Sequence, residues 1–328
     1  MPSEKTPYTD NLAIKFIATI ALLTLLFSGC TTSKISGVVK FSKAPPIDCF
    51  ARKNIGIVGG HGVCKGLLIV DRTMLDAAIA DKSYELIKDG VTYTFGDSAN
   101  NIFTGQVTTM IGLFEGTDFN HDIGYWDTRN VTSMRYMFSE NKLFNQNIGD
   151  WNTAKVTHLA YMFAETDAFN QDIGDWNTAQ VIDMRNMFYY AAGFNQDISR
   201  WNTRKVRDLS LMFYNATIFN QNIGSWDTGN VATMYAMLNK ASAFNQDIGQ
   251  WNTSKVTTMY YMFFRAAAFN QDISAWDVSS VTTMESMFHG AEAFNQNLSA
   301  WRVKHDISHD DFDGEATAWL KPKPKFTE

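Results

Sequence analysis

Phe169-Asn-Gln-Asp-Ile-Gly-Asp-Trp176 is followed, 25 residues on, by Phe194-Asn-Gln-Asp-Ile-Ser-Arg-Trp201. The same unit opens at Phe119, Phe144, Phe219, Phe244, Phe269 and Phe294, and its tryptophans keep step from Trp126 to Trp301. No insertion breaks that register over about 180 residues. A globular enzyme has no need of such a period. A solenoid does, because each coil must stack on an equivalent coil.

A second constant step lies between one tryptophan and the next phenylalanine. Val131, Met134, Met137 and Phe138 recur as Val256, Met259, Met262 and Phe263, and a boundary version begins at Val107 with Met110, Leu113 and Phe114. The Met-x-x-Met-Phe spacing predicts one or two turns of helix with a single buried stripe. Asp-Ile-x-x-Trp-Asp predicts a short strand, which across the coils builds a parallel sheet with neighbours about 4.8 Å apart. The fold class is therefore an α/β repeat solenoid.

Asn120, Asn145, Asn170, Asn195, Asn220, Asn245, Asn270 and Asn295 hold one station without exception. An amide that never varies suits a ladder joining adjacent coils, a structural role rather than a ligand groove. Two residues later Asp122, Asn147, Asp172, Asp197, Asn222, Asp247, Asp272 and Asn297 alternate acid and amide. Stacked carboxylates could bind calcium, but free exchange with Asn favours polar capping.

Outward from the array, the chain divides into a lipoprotein signal peptide at 1–29, a polar tether at 30–46, an N-terminal capping unit at 47–105, the solenoid at 106–301 and a C-terminal cap and tail at 302–328. In the capping unit, Ile55–Val58 and Leu67–Val70 read as short strands. Arg72–Ala80 reads as a helix capped by Asp71, and Asp89-Gly90 as a turn before Val91–Phe95. After Trp301 no Val-Thr-x-Met follows, so Phe312 and Trp319 are expected to cover the last coil. Lys321-Pro-Lys-Pro-Lys325 is expected to be unstructured.

The apolar run Phe16–Phe27 is too short to span a membrane and suits a signal-peptide core. It ends in Leu26-Phe27-Ser28-Gly29-Cys30, which resembles a bacterial lipobox, with Cys30 the residue lipidated. An ordinary signal peptide or an uncleaved anchor is the alternative. Of the three cysteines, Cys49 and Cys64 then remain as the pair available for a disulfide in an oxidising compartment. The formal charge of −6 argues against a nucleic-acid partner, which calls for a basic stripe.

Phe269-Asn-Gln-Asp-Ile-Ser-Ala-Trp-Asp-Val-Ser-Ser-Val-Thr-Thr-Met-Glu-Ser-Met-Phe288 resembles the repeat of the BspA-like leucine-rich-repeat surface proteins, in the branch of unknown function found in bacterial lipoproteins. The resemblance covers roughly residues 107–301. It implies a right-handed leucine-rich-repeat-like stack with short parallel strands and helices, capped at both ends. It also implies a chain displayed on the cell surface that binds or adheres rather than catalyses. No catalytic residue carries over.

Tyr136, Tyr161, Tyr190, Tyr214 and Tyr261 are the candidate binding face, with Tyr189, Tyr235, Tyr260 and Phe264 beside them in the repeat. Tyrosine supplies contact area at low entropy cost. The structural alternative is that these rings merely pad the coil. His305 and His309, four apart among acids, are a weak metal candidate. The histidines are otherwise scattered, and no nucleophile elbow, phosphate loop or zinc spacing occurs. The expectation is a lipid-anchored, surface-exposed envelope protein, in the outer membrane where the cell has one. It would bind an extracellular protein or glycan, need no cofactor, and catalyse nothing. An envelope spacer without ligand and a carbohydrate-associated accessory module are the alternatives.

Overall fold

A computed structural model describes residues 47–96 and 101–326. The signal peptide, the tether and Cys30 lie outside the described residues. The chain forms a right-handed, leucine-rich-repeat-like α/β solenoid behind a small mixed N-terminal unit.

In the N-terminal unit, strand β1 (Leu68–Ile69) pairs in parallel with β4 (Ile102–Phe103), which leads into the first coil. Helix α1 (Arg72–Ala80) starts where the Asp71 carboxylate accepts the Met74 N–H at 3.0 Å. Its buried Leu75 and Ala78 join the solenoid core. A hairpin of β2 (Glu85–Lys88) and β3 (Val91–Thr94) turns at Asp89-Gly90, both with positive φ as a two-residue turn of this hand requires. Ile55–Val58, expected as a strand, contributes only a bridge from Val58 to Leu68. Cys49 and Cys64 are joined as a disulfide, with α-carbons 5.9 Å apart.

Within the solenoid, the parallel bridges run through Thr109, Ser133, His158, Asp183, Asp208, Thr233, Thr258, Thr283 and Ser308, the residue before each Met station. The strand predicted at Asp-Ile-x-x-Trp is instead a bend stabilised by its side chains. The Met-x-x-Met-Phe step, predicted as helix, is a run of tight turns. The reason lies in the backbone. Met110, Gly112, Phe114 and Gly116 donate their N–H groups to carbonyls of the next coil, at 2.8–2.9 Å. Leu113, Glu115 and Thr117 donate to the third residue back in their own coil. A helix would spend all of these bonds internally. The coil spends half of them on its neighbour.

The core is a set of aromatic and aliphatic columns. Phe138 stacks on Phe144 of its own coil at 3.7 Å and on Phe163 of the next at 5.7 Å. Trp151 and Trp176 lie 6.5 Å apart and nearly parallel. From Trp151 to Trp301 each repeat tryptophan donates from Nε1 to the isoleucine carbonyl of the preceding coil, as Trp151 does to Ile123 at 3.1 Å. Trp126, in the first coil, has no such partner among the described residues.

The period does not end at Trp301. Ser308 bridges Thr283, and Asp311 and Glu315 repeat the positive φ of the coils before them. Trp319 takes the station of the phenylalanine and packs edge-on to Phe294 at 4.7 Å, while Phe312 meets Phe288 at 5.4 Å. The C-terminal cap is thus a degenerate further coil. The lysine–proline tail, expected to be unstructured, lies against it. Pro322 accepts the Leu298 N–H, Pro324 is buried, and Phe326 packs on Phe312.

Candidate binding face

The run of turns builds one continuous face. Each coil contributes two residues with positive φ, four apart: Gly112 and Gly116 in the first coil, then Tyr136 and Glu140, Tyr161 and Glu165, Asn186 and Tyr190. Leu211 and Asn215, Ala236 and Lys240, and Tyr261 and Arg265 continue the series. A left-handed backbone costs a non-glycine residue about 1–2 kcal/mol. Glycine is the cheap solution, and the first coil uses it. Most coils behind it place larger side chains at the same strained points, although Ala236 and Ser286 are small and Gly290 is again glycine.

Four of the five tyrosines singled out from the sequence occupy these points: Tyr136, Tyr161, Tyr190 and Tyr261. Tyr214 sits one residue before Asn215. All five are half-buried. Tyr136 stacks on Tyr161 at 4.6 Å, and Tyr190 contacts Tyr214 at 5.3 Å. Tyr189 stacks on Tyr214 at 5.0 Å, and Tyr235 on Tyr260 at 5.6 Å. Tyr261 joins Tyr260 and Phe264, and Phe264 stacks on His289 at 4.9 Å. The structure therefore gathers the five into three neighbouring clusters on one face.

Stacking covers ring faces with one another and leaves each tyrosine half-exposed. Burial pushes the Tyr189 hydroxyl up to about 12 and also raises Tyr161 and Tyr190. Tyr260 is raised first by its hydrogen bond with Tyr261. These hydroxyls stay protonated at neutral pH, and those of Tyr260 and Tyr190 are engaged with Tyr261 and Tyr214.

Charged groups frame the rings. The Arg135 guanidinium lies 5.5 Å from the Tyr136 ring, the Lys240 ammonium 5.7 Å from Tyr214 and the Arg265 guanidinium 5.4 Å from Phe264. Arg185 reaches Asp183 at 3.2 Å and Asp208 at 3.7 Å. His289 lies 2.7 Å from Asp311 and 3.2 Å from Glu315. Sequence reasoning missed this frame. The signal was present, since Lys240 stands two repeats beyond Tyr190 at the same station.

The other repeated polar stations are occupied by the fold itself. Asn120 Oδ1 accepts the Asn145 N–H at 3.0 Å and the Gln146 side chain at 3.0 Å, and the pattern repeats to Asn270 with Asn295 and Gln296. Asn295 then accepts the Leu320 N–H. The alternating acid and amide stripe forms local turns: Asp122 accepts the Gly124 N–H, Asn147 that of Gly149 and Asp272 that of Ser274. Hydrogen bonds from Ser199 and Ser274 hold the Asp197 and Asp272 carboxyls below the usual range. His305 pairs with its neighbour Asp306, whereas the His309 ring packs on Phe326. Among the described residues no group of three or more His, Cys, Asp or Glu is placed to hold a metal ion, and no helix is long and apolar enough to cross a membrane.

A family model described as "Mycoplasma protein of unknown function, DUF285" matches residues 89–190, 148–248 and 218–322. No curated protein and no solved structure matches the chain.

Proposed function

The chain belongs to this DUF285 family, and we propose that it is a non-catalytic surface module of the BspA-like kind, lipid-anchored through Cys30, that binds an extracellular protein through its tyrosine face. The carrying observation is the placement of Tyr136, Tyr161, Tyr190 and Tyr261 at positive φ, where glycine would cost less. Strain retained at a half-buried aromatic surface supports use of that surface. Stacking between coils recovers about 0.5–1.5 kcal/mol per ring pair, comparable to the backbone cost.

A protein partner fits better than a glycan here. A sugar ring packs on a bare aromatic face, and these faces are covered by neighbouring rings. Edges, hydroxyls and flanking cations suit the mixed polar and aromatic contacts of a protein interface. The rows of Asn and Asp are committed to the backbone, which supports a scaffold rather than a catalytic site.

The test is an array of extracellular matrix and envelope proteins probed with the wild-type chain and with Tyr161→Ala, Tyr190→Ala and Tyr261→Ala. Loss of about tenfold or more in affinity is expected for the combined variant, since buried interface tyrosines commonly exceed 1 kcal/mol each. Binding that survives all three substitutions sinks the aromatic face. For the anchor, Cys30→Ser is expected to abolish incorporation of labelled palmitate. Continued labelling places the lipid elsewhere.

A further inference from the structure

On a different edge of the solenoid stands the buried valine of each coil, and the residues flanking it point outward. Those stations read Arg129-Asn130, Ala154-Lys155, Ala179-Gln180, Arg204-Lys205, Gly229-Asn230, Ser254-Lys255 and Ser279-Ser280, and Arg207 follows Val206. No carboxylate occurs among them.

Lysine and a neutral acceptor alternate coil by coil, and each pair is in contact. Lys155 Nζ donates to Asn130 Oδ1 at 2.6 Å, Lys205 to Gln180 Oε1 at 2.6 Å and Lys255 to Asn230 Oδ1 at 2.7 Å. Lys304 continues the row by donating to the Ser280 carbonyl at 3.2 Å. The ammonium groups are thereby aimed but not neutralised. Among the described residues Lys155, Arg204, Lys205, Arg207 and Lys255 make no ion pair, although the chain carries a net charge of −6. The acids that precede these stations, Asp127, Asp227 and Asp277, are engaged by Arg129 or by the backbone N–H groups of Gly229 and Ser279, and Asp183 and Asp208 pair with Arg185. Beside the bridged backbone, where neighbouring strands lie about 4.8 Å apart, lysines at every second coil stand about 9.6 Å apart.

We infer that this edge binds a linear anionic polysaccharide bearing one charge per disaccharide-scale repeat. The spacing of fixed cations fits such a polymer, and the amides and hydroxyls between them suit sugar hydroxyl groups. Duplex nucleic acid carries a charge every ~1.7 Å, far denser than this row can match. The stations also lack the aromatic side chains on which single strands stack. Only Ile182 is apolar and large there, which leaves little to insert into a bilayer.

The experiment uses the full chain in detergent, with hyaluronan as probe and uncharged dextran, duplex DNA, phosphatidylglycerol vesicles and the chain itself as comparators. Hyaluronan is expected to bind in a salt-sensitive manner. Combining Lys155→Gln, Lys205→Gln and Lys255→Gln is expected to weaken it about tenfold or more, with the thermal melt unchanged and with Tyr161→Ala without effect. Equal binding of dextran, or full affinity in the triple variant, overturns the proposal. So does tighter binding of DNA or vesicles, or salt-sensitive self-association lost in the triple variant without polymer binding. Because the tyrosine and lysine variants are read separately, failure of one surface leaves the other standing.

Discussion

Asn195 accepts two hydrogen bonds from the next coil, from the Asn220 N–H at 2.9 Å and the Gln221 side chain at 3.1 Å. Both reach Oδ1, so the station needs an acceptor in a fixed place. Asn195→Ala leaves the partly buried Asn220 N–H without a partner and is expected to cost about 1–3 kcal/mol in urea unfolding. Asn195→Asp keeps an oxygen there and is expected to retain most of that stability; equal losses in both would show that the ladder is incidental. The invariance of this residue was readable in sequence because a repeated bond needs a repeated side chain. The tyrosines at positive φ were not readable in the same way. Tyrosine carries no turn signal, and its strained backbone is tolerated only because the adjoining coil accepts its N–H, as Ala160 accepts that of Tyr136 at 3.1 Å.

One coil is the smallest element with a meaning here, and its internal structure is where pattern reading went astray. Apolar residues spaced Met-x-x-Met-Phe satisfy a helix and a chain of turns equally well. Spacing reports which side chains are buried, and not where the backbone sends its N–H groups. The bridge strand sits beside the buried valine, in Val-x-(Ser/Thr/Asp/His), whereas the bend at (Asp/Asn)-Ile-x-x-Trp is held by a side-chain turn from Asp or Asn to Gly or Ser. If the coil is the unit, deleting residues 195–219 joins Phe194 to Asn220 in register. That variant is expected to unfold in one cooperative step a few degrees below the parent. Deleting 195–206 breaks every column at once and is expected to abolish the native circular dichroism. A half-coil deletion that folds normally would refute register-dependent stacking.

Across the whole molecule, the ends receive special treatment. Phe95 and Tyr84 pack on Phe119 at 6.3 and 4.9 Å at one end, and Trp319 closes the other. The Cys49–Cys64 disulfide spans 15 residues, a loop whose closure is worth about 3 kcal/mol. Cys49→Ser is therefore expected to speed hydrogen exchange in residues 47–105 and to leave the central coils protected. Uniform loss of protection would mean that cap and coils unfold as one. The sequence by itself determined the period, the buried columns of Phe, Trp, Ile and Met, the asparagine ladder's station and the placement of the aromatic residues, because each follows from the demand that equivalent coils stack. Only the tertiary structure decided that the helical step is a run of turns, that the C-terminal segment is one more coil, and that Lys155, Lys205 and Lys255 line one edge on neutral acceptors of the preceding coils. Those outcomes depend on hydrogen bonds and charges contributed by residues 25 apart, which no local stretch of chain contains.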